Sequence, residues 1–388
     1  MAQLRDVAIV GAGVLGLAAG RAVAARGRDA VILEQAEIGH PRSGSKGSCR
    51  IFRVGYREPG YVTAALQARG LWRALETASG RQILHPRPQL TFGTGMRSIQ
   101  EAMTAAGAPC ELMPAAEAAR RFPAIAADGP VLLEPDSAVI AADQALAALA
   151  ASDAEIRTGT RVTRLSDDGR QVTLQTTAGD VRARTVIITA GPWSGGLLAT
   201  AGVPLPGRPV LEQVAYLRTA GADGEAGAGA PVRSADENSA PIFICHADQV
   251  PYGVPVPGSP LYKIGIHQSG PATDPDAQDD SADWGLMSAL ARVARRYLPG
   301  YDPEPVATER CVYDNSPDED FIIDRIGNLV IGCGTSGHGF KFGPLLGEWL
   351  ADLATGSPGF ACGGRARHSQ LDPQLAQRFT LRRFRQAH

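Results

Sequence analysis

The sequence is poor in lysine, in paired cysteines and in long apolar runs. Only three of its 38 basic residues are lysines, Lys46, Lys263 and Lys341, so arginine supplies nearly every generic cation. A lysine ammonium is compact, strongly hydrated and adjustable in pKa, which are properties that arginine does not supply. Lysines retained in such a chain are candidates for specific chemistry, and retention by chance is the alternative.

Cysteine spacing and hydropathy argue against several classes of protein. The six cysteines show no C-x-x-C spacing, so we predict neither a disulfide framework nor a metal site. No apolar run approaches a membrane span, and the first apolar stretch is occupied by a glycine motif instead of a signal peptide. A net charge of −2 gives no reason to expect nucleic acid as a partner. We therefore expect a cytoplasmic protein without membrane or nucleic-acid partners. The cysteines are Cys49, Cys110, Cys245, Cys311, Cys333 and Cys362.

A dinucleotide-binding motif lies near the start of the chain. Residues 7–10 form an apolar run typical of a buried strand, and Gly11, Gly13 and Gly16 follow with G-x-G-x-x-G spacing before a helical pattern. Such glycines allow a tight turn, close approach of a pyrophosphate and close packing of helix on strand. Glu34 follows a second predicted strand at residues 30–33, where its carboxylate can accept from ribose hydroxyls. The spacing does not distinguish NAD from FAD, and a tight turn without a ligand is the alternative.

The segment after Glu34 is rich in glycine, serine and cations. We predict an extended loop over residues 40–56 that ends in a short helix, with Arg50 and Arg53 three residues apart on one turn. Ser43, Ser45 and Lys46 could line an anionic or polar cofactor. A solvated loop is the alternative.

Two regions of different character alternate along the chain, and at 388 residues two domains are expected. We assign residues 1–82, 146–210 and 305–388 to a nucleotide-binding domain. Residues 83–145 and 211–304, with proline-punctuated strands, form a covering domain. Val162 lies in a predicted strand of the first domain, and Gly191 and Trp193 lie in the turn after a later one, where we expect cofactor contacts.

Three later segments have distinct patterns. Alternation over residues 262–267 places Lys263 and His267 on one face of a strand, and an edge-strand lysine is the alternative. Within residues 335–354 a glycine-rich loop with Lys341 leads into a helix, and we expect this loop to form a second anion or flavin-edge site. We expect residues 221–230 to be an irregular loop and residues 370–388 a solvated, basic terminal helix. The residues of the glycine-rich loop assigned to the cofactor are Gly337, Gly339, Phe340 and Lys341.

Four separated motifs together resemble one protein family. They are GAGVLG with Glu34, SKGSCRIFR at residues 45–53, Cys311-Val312-Tyr313 ahead of DEDFIID, and GTSGHGFKF at residues 334–342. In this order they resemble the monomeric sarcosine oxidase and N-methyltryptophan oxidase family, within the D-amino-acid-oxidase-like flavoproteins. The resemblance covers nearly the whole chain. It implies an α/β fold with a Rossmann-like FAD-binding domain and a second, mixed-sheet domain over the substrate.

The resemblance also implies residue roles. FAD would be attached through a thioether from Cys311 to the 8α-methyl carbon, and Lys263 would stabilise superoxide near flavin N5. Arg53 and Lys341 match the pair that binds the substrate carboxylate. The other matching positions are Arg50 beside the flavin, and Tyr252, His267 and Tyr313 around the substrate.

The implied reaction is oxidation of a secondary or cyclic amino acid to an imine, with O2 reduced to hydrogen peroxide, by a monomeric enzyme. One departure is Lys46, which stands where the family's S-H-G-x-x-R segment usually has histidine. Residues 83–145 and 211–304 match only loosely, so the substrate stays open. The alternatives are a desaturase or oxidase of a biosynthetic amine or cyclic imino acid, a non-catalytic flavin-binding protein, and a dehydrogenase with another electron acceptor.

Overall fold

Two large sheets and one small sheet make up the fold in the residues that a computed structural model describes, namely 3–220, 240–277, 281–356 and 372–384. The predicted loop at residues 221–230 and Cys362 lie outside these ranges. The fold class is mixed α/β, as predicted. The five described cysteines are all free thiols. No helix in the described ranges is both long enough and apolar enough to span a membrane.

The strands of the described residues, in chain order, are β1 Leu4–Val10, β2 Ala30–Leu33, β3 Cys49–Phe52, β4 Leu84–Pro86, β5 Gln89–Gly93, β6 Glu111–Met113, β7 Val131–Glu134, β8 Ala138–Ala141, β9 Glu155–Arg157, β10 Val162–Asp167, β11 Val172–Thr176, β12 Val181–Ile188, β13 Arg208–Leu217, β14 Ile242–His246, β15 Val250–Pro255, β16 Tyr262–His267, β17 Ala307–Asn315, β18 Ile322–Ile326 and β19 Leu329–Cys333. The α-helices are α1 Val14–Ala25, α2 Pro59–Ser79, α3 Met96–Ala105, α4 Ala115–Arg121, α5 Ala142–Ala150, α6 Ser194–Ala199, α7 Trp284–Tyr297, α8 Gly343–Thr355 and α9 Pro373–Phe379.

The first sheet carries the glycine motif. Its order is β10-β11-β12-β1-β2-β9, with β1 parallel to both β2 and β12, and β19 pairs with the last residues of β12. The sequence of β1 is apolar in its second half because both faces of this parallel sheet are buried there. Helices α1, α2, α5 and α8 share the core on one side, which includes Trp72 and Trp349. The carboxyl ends of β1 and β2 therefore open at one edge, where doubly wound sheets bind ligands.

The second sheet has the order β17-β13-β16-β15-β14-β5-β7-β6. It joins the two covering segments predicted from the sequence, since β14 runs parallel to β5 with Ile242 opposite Gln89. Helix α7 packs against one face through Leu290 and Ala294. Strand β17 also belongs to this sheet, pairing along its length with β13, although the predicted boundary at residue 305 groups it with the nucleotide-binding domain.

The predicted short helix at the end of residues 40–56 is wrong. Cys49–Phe52 is strand β3, and it pairs antiparallel with β8 in a three-stranded sheet that also contains β4. Cys49 and Phe52 are buried while Arg50 reaches back to the loop before the strand. Arg50 and Arg53 therefore lie on and just beyond a strand.

The terminal helix is not solvated as predicted. Leu375 and Phe379 of α9 are buried, and the Phe379 ring contacts the rings of Tyr61, Phe321 and Trp349 at centroid distances of 5.8, 5.4 and 6.2 Å. Basic residues of this segment form ion pairs with acidic side chains of the loop between β17 and β18. These ion pairs hold the terminal segment against the first domain. The pairs are Arg378 with Asp320 and Arg383 with Asp318.

Candidate active site

A cavity of about 1530 Å³ runs between the first and second sheets. One end is formed by the glycine motif and Glu34, and the other end is lined by Arg53, Lys263 and Lys341. All three lysines of the chain line this cavity. The cavity therefore joins the predicted nucleotide site to the predicted substrate site without a break.

The glycine motif forms a tight turn at the start of α1. Gly11 has a φ of +97°, and a Cβ atom there would lie 2.6 Å from the Thr189 carbonyl oxygen. A Cβ atom on Gly16 would overlap the carbonyl oxygen of Gly11, so only glycine allows this helix to approach the turn. Gly16 thus packs the helix behind the cavity, and Gly11 and Gly13 line it.

Glu34 and Ser45 fix the ends of this turn. The Glu34 carboxylate is buried and accepts the Ala12 backbone N–H at 2.7 Å, while the Ser45 hydroxyl accepts the Val14 N–H at 3.0 Å. His40, which the sequence interpretation missed, lies 3.6 Å from the Glu34 carboxylate. Burial lowers the pKa of His40, and Glu34 opposes that shift. The other residues predicted to contact the cofactor that line the cavity are Ser43, Lys46, Arg50, Val162, Gly191, Trp193, Cys311, Gly337, Gly339, Phe340 and Lys341.

The opposite end holds two cations around one phenol. The Lys341 ammonium donates to the Tyr56 hydroxyl at 3.0 Å and to the His338 carbonyl at 2.9 Å. The Arg53 guanidinium lies 4.0 Å from the centre of the Tyr56 ring and donates to the Gly55 carbonyl. Lys341 sits in a turn of 3₁₀ helix directly before α8, which buries its stem. Two cations held this way suit a planar anion such as a carboxylate.

Burial dominates the electrostatics of Lys341. Burial lowers its pKa well below 10.5, the positive charge of Arg53 lowers it further, and Glu134 opposes the shift. An anionic ligand would stabilise the protonated form of this lysine, because a nearby negative charge offsets the cost of burying the ammonium group.

His338 connects Lys341 to the chain before β18. Its Nε2 contacts the carbonyl of Glu319 at 3.0 Å, and its Nδ1 lies 3.2 Å from the Tyr56 hydroxyl. Because a carbonyl can only accept, Nε2 carries the proton and Nδ1 accepts from Tyr56. Burial lowers the pKa of His338 well below 6.5, which agrees with a neutral ring. Glu319 adopts a φ of +63°, an uncommon conformation for a residue other than glycine.

Strand β16 places Lys263 and His267 in the lining of the cavity, as alternation predicts. Lys263 is buried and its ammonium lies 5.8 Å from the centre of the Tyr216 ring. His267 lies 3.4 Å from the Glu319 carboxylate. The residues on the other face of β16 pack into the core with α7. They are Tyr262, Ile264 and Ile266.

Tyr252 and Tyr313 form the wall beside β16. Their hydroxyl oxygens lie 3.5 Å apart, and burial raises both pKa values. A Cβ atom at Gly265 would overlap the Tyr252 hydroxyl, and one at Gly337 would overlap the Tyr313 ring. Glycine at both positions therefore makes room for the two phenols, which stay protonated and can donate hydrogen bonds at neutral pH.

Cys311 lies on β17 beside this wall and lines the cavity. Burial raises the pKa of its thiol, while the positive charges of Lys263 and Arg50 oppose that shift. The geometry places the thiol in the cavity, and its attachment to a flavin stays a prediction. The described residues contain no cluster of three or more His, Cys, Asp or Glu side chains that could hold a metal ion.

Besides His40, the sequence interpretation missed four residues of the site: Tyr56, Glu134, Glu319 and His338. Tyr56 and His338 stand inside or beside the quoted motifs, but nothing in their spacing predicts that they meet. Glu134 is 80 residues from the backbone N–H that it accepts at Val54. These contacts depend on tertiary pairing, so no local pattern could have found them.

Comparison with known families decides the cofactor class. The family model described as DAO, FAD dependent oxidoreductase, matches residues 6–353. The chain belongs to this family of FAD-dependent oxidoreductases. The glycine turn, the buried Glu34 carboxylate and the continuous cavity fit FAD, since a dinucleotide needs close backbone approach at one end and an open cavity beyond it.

Individual relatives within this FAD-dependent family cover nearly the whole chain. The peroxisomal sarcosine oxidase of Mus musculus is 33% identical over 91% of this chain and 93% of its own length. The N-methyl-L-tryptophan oxidase of Salmonella heidelberg is 31% identical over 92% of this chain and 96% of its own. Among solved structures, NikD, described as an unusual amino acid oxidase essential for nikkomycin biosynthesis, is 28% identical with a TM-score of 0.78, covering 96% of this chain and 98% of its own.

Proposed function

We propose that the protein oxidises a secondary or cyclic amino acid, such as an N-methyl amino acid or imino acid, to the corresponding imine, with O2 reduced to hydrogen peroxide. The observation that carries the proposal is the pairing of the buried Lys341 with the half-buried Arg53 around Tyr56, at the end of the cavity remote from Glu34. Relatives described as sarcosine and N-methyltryptophan oxidases support the same substrate class.

The side chains divide the work in this proposal. Arg53 and Lys341 hold the substrate carboxylate and so orient the amine carbon, which lowers the entropic part of the barrier. Bound FAD supplies the two-electron acceptor. Tyr252 and Tyr313 enclose the substrate and exclude water, and Lys263 places a positive charge in the wall beside Cys311. Removal of a hydride from a neutral amine needs no side-chain base, so we assign none.

The test is a substrate screen with matched arginine variants. Sarcosine, N-methyltryptophan and proline are mixed with the holoenzyme without oxygen, loss of the oxidised flavin absorbance is followed, and peroxide is measured after air is admitted. Arg53→Ala should raise KM by roughly 10²-fold, the equivalent of about 2–3 kcal/mol for a charged hydrogen bond. Arg57→Ala is the control, because Arg57 is exposed at the same cavity and donates to the Thr94 carbonyl, at 3.3 Å. Equal KM values in the two variants would reject the carboxylate site.

A second candidate is oxidation or desaturation of a cyclic intermediate in a biosynthetic pathway. Similarity to NikD over 96% of the chain favours it. In that case sarcosine would reduce the flavin slowly and a cyclic imino acid would reduce it quickly, while Arg53→Ala would still impair both. The ratio of the two rates decides between the candidates.

We further propose that FAD is bound covalently to Cys311, supported by the position of this thiol in the cavity wall. Yellow colour that stays with acid-precipitated protein, and leaves it in Cys311→Ser, is the expected result. Colour released from the unaltered protein would reject the attachment. A monomeric, cytoplasmic enzyme also remains our proposal, and light scattering of the purified protein tests the first part.

A further inference from the structure

Glu134, the last residue of β7, is a buried carboxylate with an unusual set of partners. Its side chain is 1% exposed. Oε2 accepts the backbone N–H groups of Val54 at 3.0 Å and Gly55 at 2.9 Å, and the Ser137 hydroxyl at 3.3 Å. Oε1 accepts from the Gln89 amide at 2.9 Å. Four donors converge on one carboxylate, which is what a buried negative charge requires.

Those partners lie in the chain that carries Arg53. Val54 and Gly55 follow Arg53 directly, and the Gly55 carbonyl accepts from the Arg53 guanidinium. A Cβ atom on Gly55 would overlap Glu134 Oε1, so this backbone lies against the carboxylate. Glu134 therefore fixes the main-chain segment to which the Arg53 side chain is anchored.

The charge of Glu134 also acts on the second cation. The groups facing Lys341 are the Arg53 guanidinium, the Tyr56 phenol, the His338 ring and carbonyl on its own segment, and Glu134 from β7. Burial and Arg53 lower the pKa of Lys341, and Glu134 is the negative charge that opposes them. Without it, two cations would share a buried site with no counter-charge until a ligand arrives.

We propose that Glu134 is a positioning residue for the substrate carboxylate, which holds the backbone behind Arg53 and supplies the negative charge that faces Lys341. This inference rests on the proposed function. If Glu134 only repelled a second anion nearby, removing its charge would tighten the binding of that anion. The positioning role predicts the opposite, that removing the charge weakens the binding.

The test is titration of the holoenzyme with methoxyacetate, the ether counterpart of sarcosine, followed by the flavin absorbance from pH 6 to 9. Glu134→Gln removes the charge with little change of shape. Gln89 Oε1 has no hydrogen-bond partner among the described residues, so the Gln89 amide can turn over and accept from the amide introduced at position 134. We expect the Kd of Glu134→Gln to rise about tenfold for each unit by which the pKa of Lys341 falls, at pH above both values. The affinity should therefore begin to fall at a lower pH than in the unaltered enzyme.

Two control variants separate charge from structure. Glu134→Asp keeps the charge and should retain the original pH profile, even where its shorter side chain weakens binding at every pH. Ser137→Ala removes the hydroxyl from Oε2 without a change of charge and should bind as the unaltered enzyme does. If the Kd for methoxyacetate changed with pH in the same way in all variants, or if Glu134→Gln bound it more tightly, this inference would be overturned and the proposed function would stand. Failure of the unaltered enzyme to bind methoxyacetate, or equal binding by Arg53→Ala, would overturn the proposed function and this inference with it.

Discussion

The effect of the Lys263 charge can be measured independently of substrate binding. This lysine is buried on β16, over the Tyr216 ring and near Cys311, whereas Arg53 follows β3 and Lys341 lies in the 3₁₀ turn before α8. We propose that its positive charge stabilises negative charge that develops on oxygen, and removal of such a group typically slows a reaction by about 10²-fold.

Lys263→Met should therefore be reduced by substrate without oxygen at the original rate and reoxidised by O2 about 10²-fold more slowly. Stopped-flow absorbance measures both half-reactions separately. Lys263→Arg is the control, since it keeps the charge and should retain most of the oxygen reactivity. If the anaerobic reduction slows by the same factor, the oxygen role of Lys263 is wrong.

The composition of the chain carried more information about the site than most local patterns. Scarcity of lysine singled out Lys46, Lys263 and Lys341, and the structure brings all three to one cavity. Sequence patterns did not predict Glu134 as a site residue, because nothing in its neighbourhood distinguishes it from an ordinary acidic residue at the end of a strand. Its function depends on a backbone segment 80 residues earlier, and only the folded chain brings the two together.

Helix α9 shows how a terminal element can support a distant site. Its Phe379 ring is fully buried among Tyr61, Phe321 and Trp349, and Tyr61 stacks on Tyr56 with ring centroids 5.1 Å apart. The aromatic contacts thus continue from the end of the chain to the phenol between Arg53 and Lys341.

Phe379→Ala should lower the free energy of unfolding by about 3–5 kcal/mol, because a fully buried phenylalanine leaves a cavity when truncated. Urea denaturation followed by circular dichroism measures this. Gln377→Ala is the matched control on the exposed face of α9 and should change the stability by less than about 0.5 kcal/mol. Equal stabilities would mean that α9 is peripheral to the core, as the sequence had suggested.

Strand β3 explains why one element was mistaken. It has four residues, and its pairing partner β8 begins 86 residues after Phe52, with Phe52 opposite Ala138. Four residues cannot display a clear strand period, and the spacing of Arg50 and Arg53 resembles a helical turn. In contrast, β1 and α1 were found correctly because the glycine motif and its apolar flanks are contiguous.

The whole molecule depends on pairings between distant parts of the chain. The second sheet combines β5 and β7 with β13–β17, and β17 carries Cys311 and Tyr313 into the wall of the cavity. Sequence patterns identified most of these strands but not their order, because parallel and long-range pairings leave no local mark. The resemblance to a known family supplied the fold and the cofactor class.

Two half-buried titratable groups should give the stability of the whole molecule a pH dependence with two opposing parts. Burial raises the pKa of Asp314 from 3.8 to about 7, while its carboxylate accepts the Gly334 N–H at 2.7 Å. The folded state then binds more protons than the unfolded state between these values, so this residue lowers the free energy of unfolding as pH rises from about 4 to 7. Burial lowers the pKa of His246 to about 4, so this residue raises the free energy of unfolding as pH rises from about 4 to 6.5.

Asp314→Asn should therefore gain stability relative to the unaltered protein as pH rises from 5 to 8, by up to about 1.4 kcal/mol for each pH unit below 7. His246→Gln is the control of opposite sign and should lose relative stability as pH rises from 4.5 to 6.5. Urea midpoints of the holoprotein at pH steps of half a unit measure both differences. Because each variant is compared with the unaltered chain at the same pH, contributions from the other carboxylates cancel. A difference for Asp314→Asn that stays constant with pH would show that the carboxyl titrates in the folded protein as it does in the unfolded chain.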